Sequence, residues 1–201
     1  MKVTVIDYGA GNVTSVKRAL QKLGAEVITA SGADEILAAK ALILPGVGHC
    51  ASLIAALDAN QLRAPLLTAI AGGASFLGIC LGLQTLYESS EEAPGLAGLG
   101  LFKGKVSRLP ATVKLPHMGW NTLKVSRPTI LLENISPDSH FYFAHSYAAP
   151  CGGAEKGALC SHGAEFMAVA EQGNLFGVQF HPEKSGASGA QLLGNFLRRA
   201  A

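Results

Sequence analysis

The sequence predicts an α/β fold: an open, mostly parallel, twisted sheet flanked by helices, with an additional antiparallel β portion. Three observations support this. In the first half, short apolar β-branched runs alternate with segments of helical spacing, the rhythm of strands joined by crossover helices. The strand ends run into glycine turns, as in "VIDYGAGN" and "LILPGVG". In the second half the helical segments give way to short strand-like runs separated by turn residues, which favours antiparallel pairing.

The elements follow in order. "KVTVID" is a β-branched run ending at the turn "YGAGN". "TSVKRALQKLG" reads as a helix, with Val16, Leu20 and Leu23 near helical spacing and Gly24 as its stop. "AEVITA" is a strand, "ADEILAA" a short helix and "ALILPGVG" an apolar strand running into a glycine loop. "HCASLIAALDANQL" and "APLLTAIAGG" supply helix, "SFLGI" is a buried strand, and "LGLQTLYESS" is read as the helix that follows it. The Gly-rich stretch from 91 to 110 changes the character of the chain. The strand-like piece "KGKVSRL" ends it, "NTLKVS", "HFYFAHSYA", "FMAVAEQG" and "LFGVQF" follow, and "GASGAQLLGNFLRR" closes as an amphipathic helix. With no repeat, low-complexity tract or linker, residues 1–201 are expected to form a single domain, a size that suits one core.

Composition narrows the function. The net charge is +2 with scattered basic residues and no basic stripe among aromatics, which leaves nucleic-acid binding without support. No apolar stretch of about 20 residues is free of Gly, Pro and charge, so no membrane span is expected. The amino terminus enters a strand directly and lacks signal-peptide features, so a cytoplasmic location is expected. Cys50, Cys80, Cys151 and Cys160 show no C-x-x-C spacing and are expected as free thiols. No zinc-type His/Cys pattern is present, and neither a metal nor a cofactor is expected.

Cys80 stands out. It lies where "SFLGI" meets the next helix, with Gly78 and Gly82 two residues either side. A strand-to-helix turn this sharp crowds the backbone, and small residues relieve the crowding. That is the geometry of a nucleophile elbow. It lifts the thiol out of the carboxyl edge of the sheet, places it at a helix N-terminus that favours thiolate, and frees the Leu81 N–H to hold an oxyanion. A thiolate needs a base. "FGVQFHPEKS" supplies His181, with Glu183 two residues on, where an extended backbone would set both on one side. Gly46 and Gly48 flank Val47 in a loop whose N–H groups suit an anion. Taken singly, His49, His117, His140, His145 and His162 read as packing, turn or interface residues, and the other three cysteines as spectators.

These segments together resemble the class I (triad) glutamine amidotransferases. More narrowly, "DYGAGN", "LPGVG", "GICLGLQ", "PHMGWN", "FYFAHSY" and "GVQFHPEKS" resemble the glutaminase subunits of imidazole glycerol phosphate synthase, in order along essentially the whole chain. The resemblance implies a flavodoxin-like sheet and hydrolysis of L-glutamine to glutamate and ammonia. It implies Cys80 as nucleophile, His181 as general acid/base and Glu183 as the orienting carboxylate. Val47 and Leu81 would form the oxyanion site, and Gly48, Gln84, Glu92, His145, Ser146 and Tyr147 would hold the substrate. Asn12, Met118, Trp120 and Asn121 would face the partner. That partner is a (β/α)8-barrel cyclase that forms a heterodimer with this subunit and uses the ammonia to make imidazole glycerol phosphate and AICAR in histidine biosynthesis. The alternatives are the glutaminase of another amidotransferase, such as pyridoxal-phosphate synthase, or a non-catalytic activating subunit. The chain departs from the usual family pattern at Thr14, where a basic residue is common, and in "AGGASFLG" and "GHC".

Overall fold

The structure is a computed structural model that describes residues 1–153 and 155–200. Its elements run β1 (Lys2–Ile6), α1 (Val13–Lys22), β2 (Glu26–Ala30), α2 (Ala33–Leu37), β3 (Ala41–Gly46), α3 (Cys50–Ala59), α4 (Arg63–Ala71), β4 (Ser75–Cys80), α5 (Leu81–Gln84), β5 (Tyr87–Ser90), β6 (Phe102–Arg108), β7 (His117–Asn121), β8 (Lys124–Arg127), β9 (Phe141–His145), β10 (Tyr147–Ala148), β11 (Lys156–Ser161), β12 (Glu165–Gln172), β13 (Leu175–Val178) and α6 (Gly186–Arg199).

The main sheet has eight strands in the order β2-β1-β3-β4-β13-β12-β11-β8. The first five pair in parallel, and β12, β11 and β8 add to them antiparallel. The expected combination of a parallel sheet with an antiparallel portion is therefore present. The parallel part is doubly wound, and such sheets present functional side chains beyond the carboxyl ends of their strands. Two smaller units, β10-β6-β5 and the antiparallel pair β7-β9, lie beside it.

The central strands are buried on both faces, so they read as continuous apolar runs rather than alternations. All six residues of β3 and all six of β4 are buried. Alternate side chains feed two cores. Ile43, Leu77 and Ile79 pack with Val16 and Leu20 of α1 and with Leu192, Leu193 and Phe196 of α6. Leu42, Leu44 and Phe76 pack with Ile36, Leu53, Leu57, Leu66 and Ile70 of α2, α3 and α4.

The long helix expected over "LGLQTLYESS" is not formed. Only Leu81–Gln84 is helical, and Tyr87–Ser90 is a strand paired with β6. Tertiary partners outweigh local propensity here. Tyr87 is buried against Phe102, edge to face at 5.5 Å, and the Leu86 carbonyl accepts both the Leu101 and Phe102 N–H groups. Strands β7 and β11 are not among the expected strands; β7 does alternate, but it buries His117 and exposes Met118 and Trp120, the reverse of the usual apolar-in pattern.

The glycines around β4 are set by close backbone approach. A Cβ on Gly78 would run into the Gly82 carbonyl, and one on Gly82 into the Leu44 carbonyl. One on Gly46 would lie 2.7 Å from the Leu81 Cβ. Gly82→Ala is therefore expected to cost about 3 kcal/mol, the upper range for overpacking, because a backbone obstacle cannot rotate away. Gly73→Ala, at φ +96° with open space around it, should cost only the left-handed penalty of about 1–2 kcal/mol. Urea denaturation of both variants measures the difference.

Candidate active site

Strands β3, β4 and β13 are neighbours and run in the same direction, so their carboxyl ends emerge side by side. From β3 comes the Val47–Gly48 loop, from β4 comes Cys80, and the chain beyond β13 carries His181. Gly46 pairs with Cys80 in register, which sets the glycine loop beside the thiol. Cys80 itself has φ 54° and ψ −107°. Few non-glycine residues hold such a backbone, and the strain is that of a tight strand-to-helix elbow.

The helix after Cys80 has only four residues. The expected help of a helix dipole is thus confined to one turn. What the short helix does supply is the Leu81 N–H, which at a first helical position has no intrahelical acceptor.

His181 is buried, and its Nδ1 donates to Glu183 Oε1 at 3.0 Å. That leaves Nε2 to face Cys80, which is near enough to act on the ring's pKa. Burial by itself would lower the imidazole pKa. The bonds and negative charge of Cys80 and Glu183 more than offset it, and the ring is pushed up to about 10. Glu183 does not reach the ring along an extended backbone, as the sequence suggested. His181 is extended, but Pro182 opens a short 3-10 turn over Pro182–Lys184, and this turn swings the carboxylate round. The loop is tied to β9: the His181 N–H donates to the Tyr142 carbonyl at 2.9 Å, and the Ser185 hydroxyl donates to the His181 carbonyl at 2.7 Å. Asn12, expected on the partner face, donates to the same Glu183 Oε1 at 3.1 Å.

These groups open into a cleft of about 170 Å³. Its walls include Val47, Gly48, Cys80, Leu81, Gln84, Glu92, His145, Ser146, Tyr147 and His181, together with Lys184. The sequence reading did not single out Lys184. Pockets for drug-sized ligands run to about 300–1,000 Å³, so this cleft suits something the size of one amino acid. A larger hollow of about 810 Å³ lies at the amino ends of the strands, along Lys2, Thr4 and Lys40, and holds no paired nucleophile and base. Glu92 also accepts from the Cys50 N–H at 2.8 Å, which fixes it at the start of α3.

A chain of neutral histidines adjoins the cleft. The Tyr147 carbonyl can only accept, so His145 Nδ1 carries the proton that bonds it at 2.8 Å. His145 Nε2 then accepts from His117 Nδ1 at 3.0 Å, and His117 Nε2 accepts from the Asn121 amide at 3.3 Å. Burial holds His117 down at about 4, helped by His162 stacked on it, and His145 at about 3. Asn121 is thus turned inward in part, whereas Met118 and Trp120 on the same strand are 65% and 56% exposed. The four cysteines are free thiols, and burial pushes Cys160 up to about 12 and raises Cys50 and Cys151. Among the described residues no group of three His, Cys, Asp or Glu side chains is placed to hold a metal ion, and no helix is long and apolar enough to cross a membrane.

Comparison with known proteins decides the family. The family model for "Glutamine amidotransferase class-I" matches residues 4–200. The chain belongs to the class I glutamine amidotransferases. It is 43% identical to the imidazole glycerol phosphate synthase subunit HisH of Deinococcus radiodurans, over 100% of this chain and 94% of that protein. It is 46% identical to the subunit of the same name from Moorella thermoacetica, over 96% of this chain and 93% of that one. A solved structure described as a glutamine amidotransferase superposes with a TM-score of 0.79, covering 98% of both chains at 22% identity, which speaks for the fold. The family's glutaminase chemistry accords with the cleft, and the relatives point to the glutaminase subunit of imidazole glycerol phosphate synthase.

The charge state of His181 is directly measurable. Its ring should stay protonated through neutral pH and titrate near 10 by nitrogen-15 NMR. Glu183→Gln removes the carboxylate on Nδ1 and should bring that midpoint down. The folded pKa lies above the unfolded value of about 6.5, so this proton's contribution to stability is complete below 6.5 and lost as pH rises towards 10. Denaturation of wild type against His181→Asn at pH 6 and pH 10 checks the sign.

Proposed function

We propose that this chain, as one domain, hydrolyses the side-chain amide of L-glutamine at Cys80 and delivers the ammonia to a cyclase subunit. The observation that carries the proposal is the convergence of an elbow cysteine, a buried His181–Glu183 pair and a glycine loop on one amino-acid-sized cleft. The Cys80 thiolate attacks the amide carbon while His181, as imidazolium, stands ready as the acid. The tetrahedral oxyanion is held by the backbone N–H groups of Val47 and Leu81. Losing one such donor typically costs about 10²–10³ in rate. His181 gives its proton to the departing ammonia, and a glutamyl thioester remains on Cys80. His181, now neutral, takes a proton from water, which attacks the thioester and releases glutamate. Glu183 fixes the tautomer throughout, and Asn12 fixes Glu183. Gln84, Glu92 and the segment His145–Tyr147 hold the amino-acid end of the substrate.

Ammonia set free in water is protonated and loses its nucleophilicity, so a glutaminase of this type works with an acceptor enzyme. The relatives named as subunits of a synthase support that reading. The partner is a (β/α)8-barrel cyclase bound through the exposed Met118 and Trp120 and the neighbouring Asn121 and Asn12, and the pair works in the cytoplasm. Docking also gates the site. Val47 is 41% exposed and Gly48 sits at φ +93°, so this loop can turn its N–H groups at low cost.

Glutamate release from glutamine, with and without the cyclase and its nucleotide ligand, tests the whole reading. Strong stimulation by the liganded cyclase is expected, with loss of all release in Cys80→Ala. Equal rates for the free and bound subunit would remove the gating and leave the chemistry. Release by Cys80→Ala would overturn the nucleophile. Trp120→Ala should weaken association with the cyclase by about tenfold or more, the effect of an interface aromatic anchor, and leave the circular dichroism spectrum unchanged; calorimetry measures it.

A further inference from the structure

The buried polar groups behind Cys80 form a second, one-directional chain. The carbonyl of Tyr147 is an acceptor only. Gln84 lies 2.7 Å from it and must therefore present its Nε2 amide hydrogens. The same NH2 group donates to Gln179 Oε1 at 3.0 Å. With its oxygen committed to Gln84, Gln179 turns its own NH2 to the Cys80 Sγ, 3.6 Å away. Turning Gln84 over would set its oxygen against the Tyr147 carbonyl and Gln179 Oε1, and turning Gln179 over would set its NH2 against that of Gln84 and its oxygen against the sulfur. Gln179 is fully buried and Gln84 is 4% exposed, so water cannot repair such a clash.

Gln179 is the one polar side chain in the apolar run "LFGVQF". A buried amide at such a position needs partners on both ends, and here one partner is the reacting atom. We propose that Gln179 is a catalytic residue of this site: its amide N–H donates to the Cys80 thiolate, with its orientation dictated by the Tyr147 carbonyl through Gln84. The bond favours thiolate before attack. It weakens when sulfur carries the acyl group and loses its charge. It re-forms when water expels the thiolate from the thioester, so it assists departure of that leaving group. No proton moves along the chain; the donors stay donors. The proposal rests on Cys80 being the nucleophile, and it deepens that reading.

The test reads the thiolate without any substrate. Full-length protein is alkylated with iodoacetamide from pH 5 to pH 10, and the Cys80 peptide is followed by mass spectrometry, since exposed Cys151 also reacts. Gln179→Leu removes the donor. Gln179→Glu keeps the acceptor for Gln84 and sets a carboxylate in the donor's place. Gln84→Leu leaves Gln179 in place and releases its orientation. The expected result is a Cys80 profile displaced to higher pH in all three, with alkylation at pH 6.5 slowed about tenfold in Gln179→Leu, the scale of one hydrogen bond to a charged group, and more in Gln179→Glu. Thermal melts identify the variants that fold, and two of the three suffice. A wild-type profile in any folded Gln179 variant overturns the proposal, even where its melting temperature drops, because a packing role alone would not move the profile. Glutamate release by Cys80→Ala is a separate outcome that fails the nucleophile itself, whatever the profiles show.

Discussion

Parallel pairing of β3, β4 and β13 is the constraint on which the site depends. Residues 47, 80 and 181 are far apart in the chain, and they meet because three adjacent strands end at one edge of the sheet. That edge is tight. Gly46, Gly78 and Gly82 leave no space for a Cβ between the elbow and the end of β3. The same closeness holds Cys80 in its left-handed backbone, which nothing local would favour. Packing of α1, α3, α4 and α6 on the two faces keeps the strands in register, so the two hydrophobic cores serve the geometry of one thiol.

Electrostatics then separates groups that burial would treat alike. His145, His117 and His181 are all buried. The first two face neutral partners, rings, an amide and a carbonyl, and are held neutral at about 3 and 4. His181 faces a carboxylate and a thiol, and is pushed up to about 10. The difference lies in the partners. A buried imidazole gains a proton only where anions repay its lost hydration. One ring is thereby charged, as the proposed acid requires, while its neighbours serve as fixed hydrogen-bond donors and acceptors.

Polarity in the interior runs in one direction from a few acceptor-only groups. The Tyr147 carbonyl receives both His145 and Gln84, and through them it orders His117, Asn121 and Gln179. One branch ends at the sulfur. The other ends on β7, whose Met118 and Trp120 face outward. The strand proposed to meet the cyclase is therefore tied by hydrogen bonds to the residues that line the substrate cleft.

The sequence by itself determined the elements that announce themselves locally: the apolar strands, the glycines at the elbow, the Cys80 frame and the "HPE" triplet. These were legible because each is a constraint on neighbouring residues, such as a turn too tight for a side chain or a proline fixing the backbone. The family resemblance was legible for the same reason, since its segments are short and contiguous. Tertiary structure decided what depends on distant partners. Tyr87–Ser90 is a strand because β6 and Phe102 lie against it, although the local spacing reads as helix. Glu183 reaches His181 through a 3-10 turn pinned to β9, and Asn12 turns to that carboxylate across 171 residues of chain. Gln179 gave only the weak sign of a polar residue in an apolar run. Its meaning required the sulfur, Gln84 and the Tyr147 carbonyl in one place, because a hydrogen bond has a direction only once both of its ends are known.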